Sequence, residues 1–261
     1  MVKVLGRKQC IKNEDWINAF HNIRQLVSRE ELKQLVLHTV EEVKKNTKGK
    51  KTAYAWSGGK DSLVLGEICH MAGITDCVLV ICNLEYREFM EWTETHKPVG
   101  LSVINTGQGM EWLSARPGML FPQDSRTAAR WFNIVQHRGQ ALYYKKEHLD
   151  MMLLGRRLAD GNYVGRGSNI YTDRQGVTRY SPLSKWTHEH VLAFIYYYKL
   201  EMPPVYSWKN GYLCGTHPWP ARQWTGTVEN AWEEVYGIDS SIVHCAARYF
   251  KSAEAFLGTL K

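Results

Sequence analysis

Two glycines, a lysine and an aspartate stand between apolar residues in AWSGGKDSLVL, residues 55–65. Those residue types suit the gripping of phosphate. Gly58 and Gly59 permit backbone conformations barred to other residues and let a ligand approach the main chain. At a strand-to-helix turn, the loop amides and the helix N-terminus behind them form a positive concavity. Lys60 adds a full charge, and Ser57 and Ser62 add hydroxyl donors. Asp61 would cap the helix, or hold a Mg²⁺ ion that bridges phosphate oxygens. A plain turn with an aspartate cap accounts for the glycines and Asp61, but not for the lysine together with both serines. The stretch is not a P-loop, because GxxxxGK[ST] is absent, and it is no dinucleotide fingerprint.

Such a turn needs a strand before it and a helix after it. TAYAW (52–56) supplies the strand, and Val64, Leu65, Ile68, Met71 and Ala72 form the apolar side of a helix ended by Gly73. CVLVIC (77–82), LSVIN (101–105) and MMLLG (151–155) read as further strands, with a helix over 139–150. Strands alternating with helices predict an α/β fold, a doubly wound and mostly parallel sheet. Ahead of it, residues 14–27 carry Trp16, Ala19, Phe20, Ile23 and Val27 at helical spacing. Ser28 and Glu31 then make a capping-box pattern before a second helix with Leu32, Leu35, Val36, Val40 and Val43. KKNTKGKKT (44–52) is basic and reads as an exposed linker. Residues 156–180 show no period and read as a loop rich in Gly and Arg. Thr187 is an N-cap for a helix over 188–200, a Pro, Gly and Trp-rich stretch fills 203–226, and helices follow near 229–236 and 239–257. The expected organisation is an N-terminal helical segment (1–50), a nucleotide-binding domain (51–206) and a C-terminal helical extension (207–261).

Composition narrows the class. Lys and Arg number 33 against 26 Asp and Glu, a net charge of +7, which favours anionic partners without choosing between nucleotide and nucleic acid. No run approaches the roughly 20 apolar residues of a membrane helix, and MVKVLGRKQC lacks the apolar core of a signal peptide, so a cytosolic protein with no membrane partner is expected. Six scattered cysteines without a CxxC point to reduced thiols rather than a disulfide framework. Nothing in the sequence sets the oligomeric state, and a homo-oligomer is compatible with it.

SGGKDS (57–62) resembles the PP-loop of the adenine nucleotide α-hydrolase superfamily, whose members bind ATP on a doubly wound sheet and cleave it between the α and β phosphates. Three further stretches resemble the phosphoadenosine phosphosulfate (PAPS) reductase family within it. They are NLEYREF (83–89), GRR (155–157) and YSPLSKWTHEHVLAFIYYYKLEMPPVY (180–206). The likeness spans about residues 50–220. It implies ATP and Mg²⁺ as ligands, with Ser57, Gly58, Gly59, Lys60, Asp61, Ser62 and Gly155 holding the nucleotide. Glu85 would lie near the adenosine, although the family's aspartate in that stretch is Asn83 here. Arg156 and Arg157 would steady the α-phosphate or the acceptor by forked hydrogen bonds.

The same resemblance poses a choice of chemistry. Reductases of the family attack sulfur with a cysteine near the C-terminus in an ECGLH-like motif, whereas this chain ends KSAEAFLGTLK. Its last cysteine, Cys245, sits in the helical pattern HCAAR, where burial would raise its pKa. RWFNIVQHRG (130–139) resembles the region bearing an iron–sulfur cysteine pair in some reductases, but contains no cysteine. An intact loop with its lysine resembles the ATP-cleaving members. The expectation is therefore an ATP pyrophosphatase or nucleotidyltransferase that adenylylates a substrate, in sulfur metabolism or nucleic-acid modification. A thiol-dependent sulfonucleotide reductase, and a nucleotide-binding module without turnover, are the alternatives.

Other signals are weaker. Arg156, Arg157, Arg166, Arg174 and Arg179 with Tyr163 and Tyr171 read equally as a lid over an anionic substrate or nucleic acid and as a solvated loop. CGTH (214–217) offers half of a metal site. His188 and His190 read as capping or surface residues, and Trp208, Trp219 and Trp224 as packing, with base stacking as the sharper option.

Overall fold

The computed structural model describes residue 5 and residues 11–167, 169–223 and 225–260. Cys10 and Trp224 lie outside the described residues. In chain order the elements are α1 (Asn13–His21), α2 (Ile23–Leu26), α3 (Arg29–Thr47), β1 (Thr52–Ala55), α4 (Lys60–Met71), β2 (Cys77–Ile81), α5 (Arg87–His96) and β3 (Leu101–Asn105). There follow α6 (Met110–Ser114), α7 (Ser125–Phe132), a π-helical turn (Asn133–His137), α8 (Arg138–Lys146), β4 (Met151–Leu153), β5 (Ile170–Thr172) and β6 (Thr178–Tyr180). The chain closes with α9 (His188–Tyr198), α10 (Gly211–Cys214), α11 (Val228–Ile238), α12 (Ser240–Ala246) and α13 (Lys251–Gly258).

The six strands form one sheet in the order β3-β2-β1-β4-β6-β5. β1 pairs in parallel with β2 and β4, β4 pairs in parallel with β6, and β5 pairs antiparallel with β6. The order reverses at β1, with β2 and β3 on one side and β4 on the other. In an open α/β sheet that reversal opens a crevice outside the carboxyl ends of the strands. Here the crevice falls between the turns that leave β1 and β4.

By contact density the chain divides into two units. One comprises Met1–Leu79, His96–Val103 and Gln140–Pro203, the other Val80–Thr95, Ile104–Gly139 and Pro204–Lys261. In the first, α1, α3, α4 and α9 pack on one another around Trp16, Ile23, Leu32, Leu65, Ile68 and Phe194, all fully buried. In the second, Phe121 meets the edges of Trp219 and Trp232 with ring centroids 6.1 and 4.7 Å away. Arg222 and Glu234, both buried, pair at 3.0 Å beside them.

Four local expectations change. The helix expected over 14–27 breaks at Asn22, whose N–H closes α1 on Asn18 before α2 begins. The stretch expected as a linker from residue 44 is helical to Thr47, because Lys44 and Lys45 sit in the last turn of α3, where cations favour the helix dipole. The loop expected over 156–180 contains the β5–β6 hairpin. Its turn is organised by Asp173, whose carboxylate accepts from the Gln175 and Val177 N–H groups and pairs with Arg179 Nε at 2.6 Å. From Val228 to Gly258 there are three helices rather than the expected two, since Asp239 caps α12 and the chain breaks again before α13.

Candidate functional site

The turn after β1 is laced by its own serines. Trp56 N–H still pairs with the Val78 carbonyl at 2.9 Å, and the chain leaves the sheet at Ser57. Gly58 takes φ +67°, a left-handed conformation that favours glycine. Gly59 is the N-cap of α4 and has no side chain to cap it. Ser62 Oγ accepts from Ser57 N–H at 3.0 Å and donates to the Gly59 carbonyl at 2.9 Å; Ser57 Oγ lies 3.2 Å from it. Ser62 is buried, so its hydroxyl shapes the turn from within. The N-terminal end of α4 then faces the crevice with the positive end of its dipole.

Beneath the turn lies a cluster of charges. Lys60, 4% exposed, places Nζ 2.6 Å from Asp61 Oδ2 and 4.9 Å from the ring centroid of Trp16. Arg157, wholly buried, donates from Nε to Asp61 Oδ1 at 2.7 Å and from Nη2 to Asp160 at 3.0 Å. Arg157 Nη1 reaches the Trp186 carbonyl at 3.4 Å, and Nη2 lies 3.2 Å from His188 Nδ1. His188 is buried at the start of α9 and its pKa is pulled down to about 4, first by burial and then by the Arg157 cation. A neutral imidazole whose Nδ1 accepts from Arg157 carries its proton on Nε2, an atom with no hydrogen-bond partner among the described residues.

Gly155 explains how the two turns meet. A Cβ built on it would lie 3.0 Å from the Asp61 carbonyl oxygen and 3.3 Å from Asp61 Cβ, tight enough to press on the first turn of α4, so glycine suits this close approach. The adjacent arginines then part company. Arg157 turns inward, whereas half-buried Arg156 donates from Nη1 to the Tyr171 hydroxyl at 2.9 Å. Tyr163, 59% exposed, packs edge-on against Tyr171 at 4.9 Å.

The structure thus gathers Ser57, Gly58, Gly59, Lys60, Asp61, Ser62, Gly155, Arg156 and Arg157 at the carboxyl ends of β1 and β4. Sequence reasoning missed Asp160 and took Trp16 as core alone. His188 is a buried partner of Arg157, not a surface or capping residue; His190 does cap α9, accepting from Thr187 N–H at 3.1 Å.

In the second unit, Glu85 Oε1 accepts from Cys82 N–H at 3.0 Å, and burial pushes the carboxyl up to about 7. Asn83 is exposed and accepts from Asn105 Nδ2 at 2.7 Å. Trp219 is buried in the aromatic core, and Trp208 meets the edge of Tyr86 at 4.7 Å. Packing therefore occupies Trp219. His217 lies edge-on to Phe132 at 5.0 Å, and no group of three metal-ligating side chains occurs among the described residues. Cys245 is exposed on α12, contrary to the expectation of burial. Cys69, Cys77 and Cys82 are buried, and burial pushes their thiols up, Cys77 to about 11.

A mostly parallel sheet that reverses at β1, with a serine-laced double-glycine turn at the reversal, defines an open α/β protein with a ligand-binding switch point at that turn. A family model, the phosphoadenosine phosphosulfate reductase domain, matches residues 51–213, more than half of the chain, and the chain belongs to that family. No curated protein sequence matches it. Among solved structures it is similar to the PAPS reductase of Candida auris, crystallised as a phosphate complex. That match has 15% identity and a TM-score of 0.51, over 74% of this chain and 96% of the other. It also matches the NMN synthetase of Francisella tularensis (15% identity, TM-score 0.45, 65% and 71% covered). A third match is the FMN adenylyltransferase of Candida glabrata in complex with FMN and the ATP analogue AMPCPP (12%, 0.44, 74% and 68%). The first of these shows the shared fold. No helix among the described residues is long and apolar enough to cross a membrane.

Proposed function

We propose that the protein binds ATP at the β1–α4 turn and cleaves it between the α and β phosphates, adenylylating an acceptor with release of pyrophosphate. The observation that carries this reading is the turn itself: two glycines, both serines and a lysine–aspartate pair, complete and internally bonded, at the reversal of the sheet. Amides at the start of a helix stabilise charge growing on a departing pyrophosphate without reorganising. Lys60 and Arg157 fix both oxygens of Asp61 beneath the turn.

The Asp61 side chain is one quarter exposed at the mouth of the turn. Asp61 therefore suits a Mg²⁺ ion carried in on the phosphates, which when bound would neutralise charge on the phosphate oxygens. To Arg156, held by Tyr171, we assign the contact with the α-phosphate or an anionic acceptor, nucleic acid included.

The runner-up is thiol-dependent reduction of a sulfonucleotide, favoured by the family match and by the exposed thiol of Cys245. One pair of assays separates them. Release of pyrophosphate from ATP and Mg²⁺ that is lost in Asp61→Asn and kept in Cys245→Ser supports adenylylation. Release of sulfite from a sulfonucleotide with a dithiol, lost in Cys245→Ser, overturns it.

A further inference from the structure

We propose that Trp16, which lies outside the segment matched to the family, is a positioning residue of the nucleotide turn and acts on it through Lys60. The proposal rests on the ATP-binding reading of that turn. Five side chains close a ring of contacts. Trp16 carries Lys60 Nζ over its ring at 4.9 Å; Lys60 pairs with Asp61 at 2.6 Å; Arg157 holds the other Asp61 oxygen at 2.7 Å. His188 Nδ1 lies 3.2 Å from Arg157 Nη2, and the His188 ring returns to Trp16 in a T-shaped contact with centroids 4.6 Å apart. Lys60, Asp61, Arg157 and His188 come from within residues 51–213, whereas Trp16 comes from α1.

The chemistry of the indole suits this place. A buried ammonium must replace its lost water, and a further carboxylate beside Asp61 and Asp160 would turn the cluster net negative, against an anionic ligand. An aromatic face attracts the cation through its quadrupole and adds no net charge. His188, held neutral, likewise adds no cation to the two already present. Lys60 is thereby fixed under the turn, and with it the Asp61 carboxylate and the first turn of α4.

The N-terminal helices are tied to the same scaffold elsewhere. Leu5 N–H donates to Glu189 Oε1 at 2.6 Å and Trp186 Nε1 to Thr39 Oγ1 at 3.1 Å. Leu5 and α3 are thus tied to Trp186 and α9, the stretch that carries His188.

The test is a double-mutant cycle on the affinity of the full-length chain for Mg²⁺ and AMPCPP, measured by calorimetry, with folding of each variant checked by thermal melting. Trp16→Phe, which keeps a weaker quadrupole, should bind about threefold more weakly, and Trp16→Leu about tenfold more weakly. In a Lys60→Met background both losses should vanish, because the residue through which Trp16 acts is gone. Should Trp16→Leu fail to fold, Trp16→Phe carries the cycle. As a second readout, the Lys60 ε-methylene protons should show an upfield ring-current shift that is lost in Trp16→Leu. Unchanged affinity in the Trp16 variants, or equal losses in both backgrounds, overturns the proposal. A wild-type chain that does not bind AMPCPP overturns the nucleotide reading itself.

Discussion

Arg157 Nε donates to Asp61 Oδ1 at 2.7 Å, across 96 positions of sequence, and ties the turn after β4 to the first turn of α4. The same guanidinium serves Asp160, so one buried cation answers two carboxylates. Removing one partner of a buried ion pair strands the other charges. Arg157→Met is therefore expected to cost about 3 kcal/mol of stability, read as a lowered urea midpoint. It should also lower nucleotide affinity, because Asp61 loses its anchor.

Gly155 tests the geometry from the other side. Its Cβ would press on the Asp61 carbonyl at 3.0 Å. Gly155→Ala should destabilise by about 1–3 kcal/mol and weaken AMPCPP binding about tenfold by displacing the turn. Gly237→Ala, where a Cβ meets nothing within 4 Å, should leave affinity unchanged. Calorimetry on the two variants side by side checks both.

Two buried groups pull the pH dependence of stability in opposite directions. The His188 pKa falls from 6.5 to about 4, so the unfolded chain binds that proton more readily. Its contribution is complete above pH 6.5 and is lost as pH falls through about 4. The Glu85 pKa rises from 4.5 to about 7, so the folded chain holds that proton more tightly. Its contribution is complete below pH 4.5 and is lost as pH rises through about 7. His188→Gln should flatten the acid side of the stability profile, and Glu85→Gln the neutral side. Urea midpoints across that range measure both slopes.

The turn and the strands around it were legible because their signals are local. Glycines at a strand end and runs such as CVLVI state their structure within a few residues. The β5–β6 hairpin was not read, because β6 buries Arg179 where alternation leads one to expect an apolar residue. That guanidinium is buried only with the help of Asp173 and, at 2.6 Å, Gln140. Asp-Arg-Gln-Gly between IYT and TRY was the available sign of the turn, with Gly176 at φ +78°. Arg156 and Arg157 look alike in sequence, but only long-range partners send one inward to Asp61 and the other to Tyr171. His188 and Trp16 were likewise set by contacts far along the chain.

The central claim is that the amides of the β1–α4 turn grip the phosphates of ATP. Its most direct test is a titration of the ¹⁵N-labelled chain with Mg²⁺ and AMPCPP, following the backbone amide resonances. The expected result is a set of saturable shifts that are largest at Gly58, Gly59, Lys60 and Asp61. Saturable binding that leaves those four amides unmoved, or no binding at all, would contradict it.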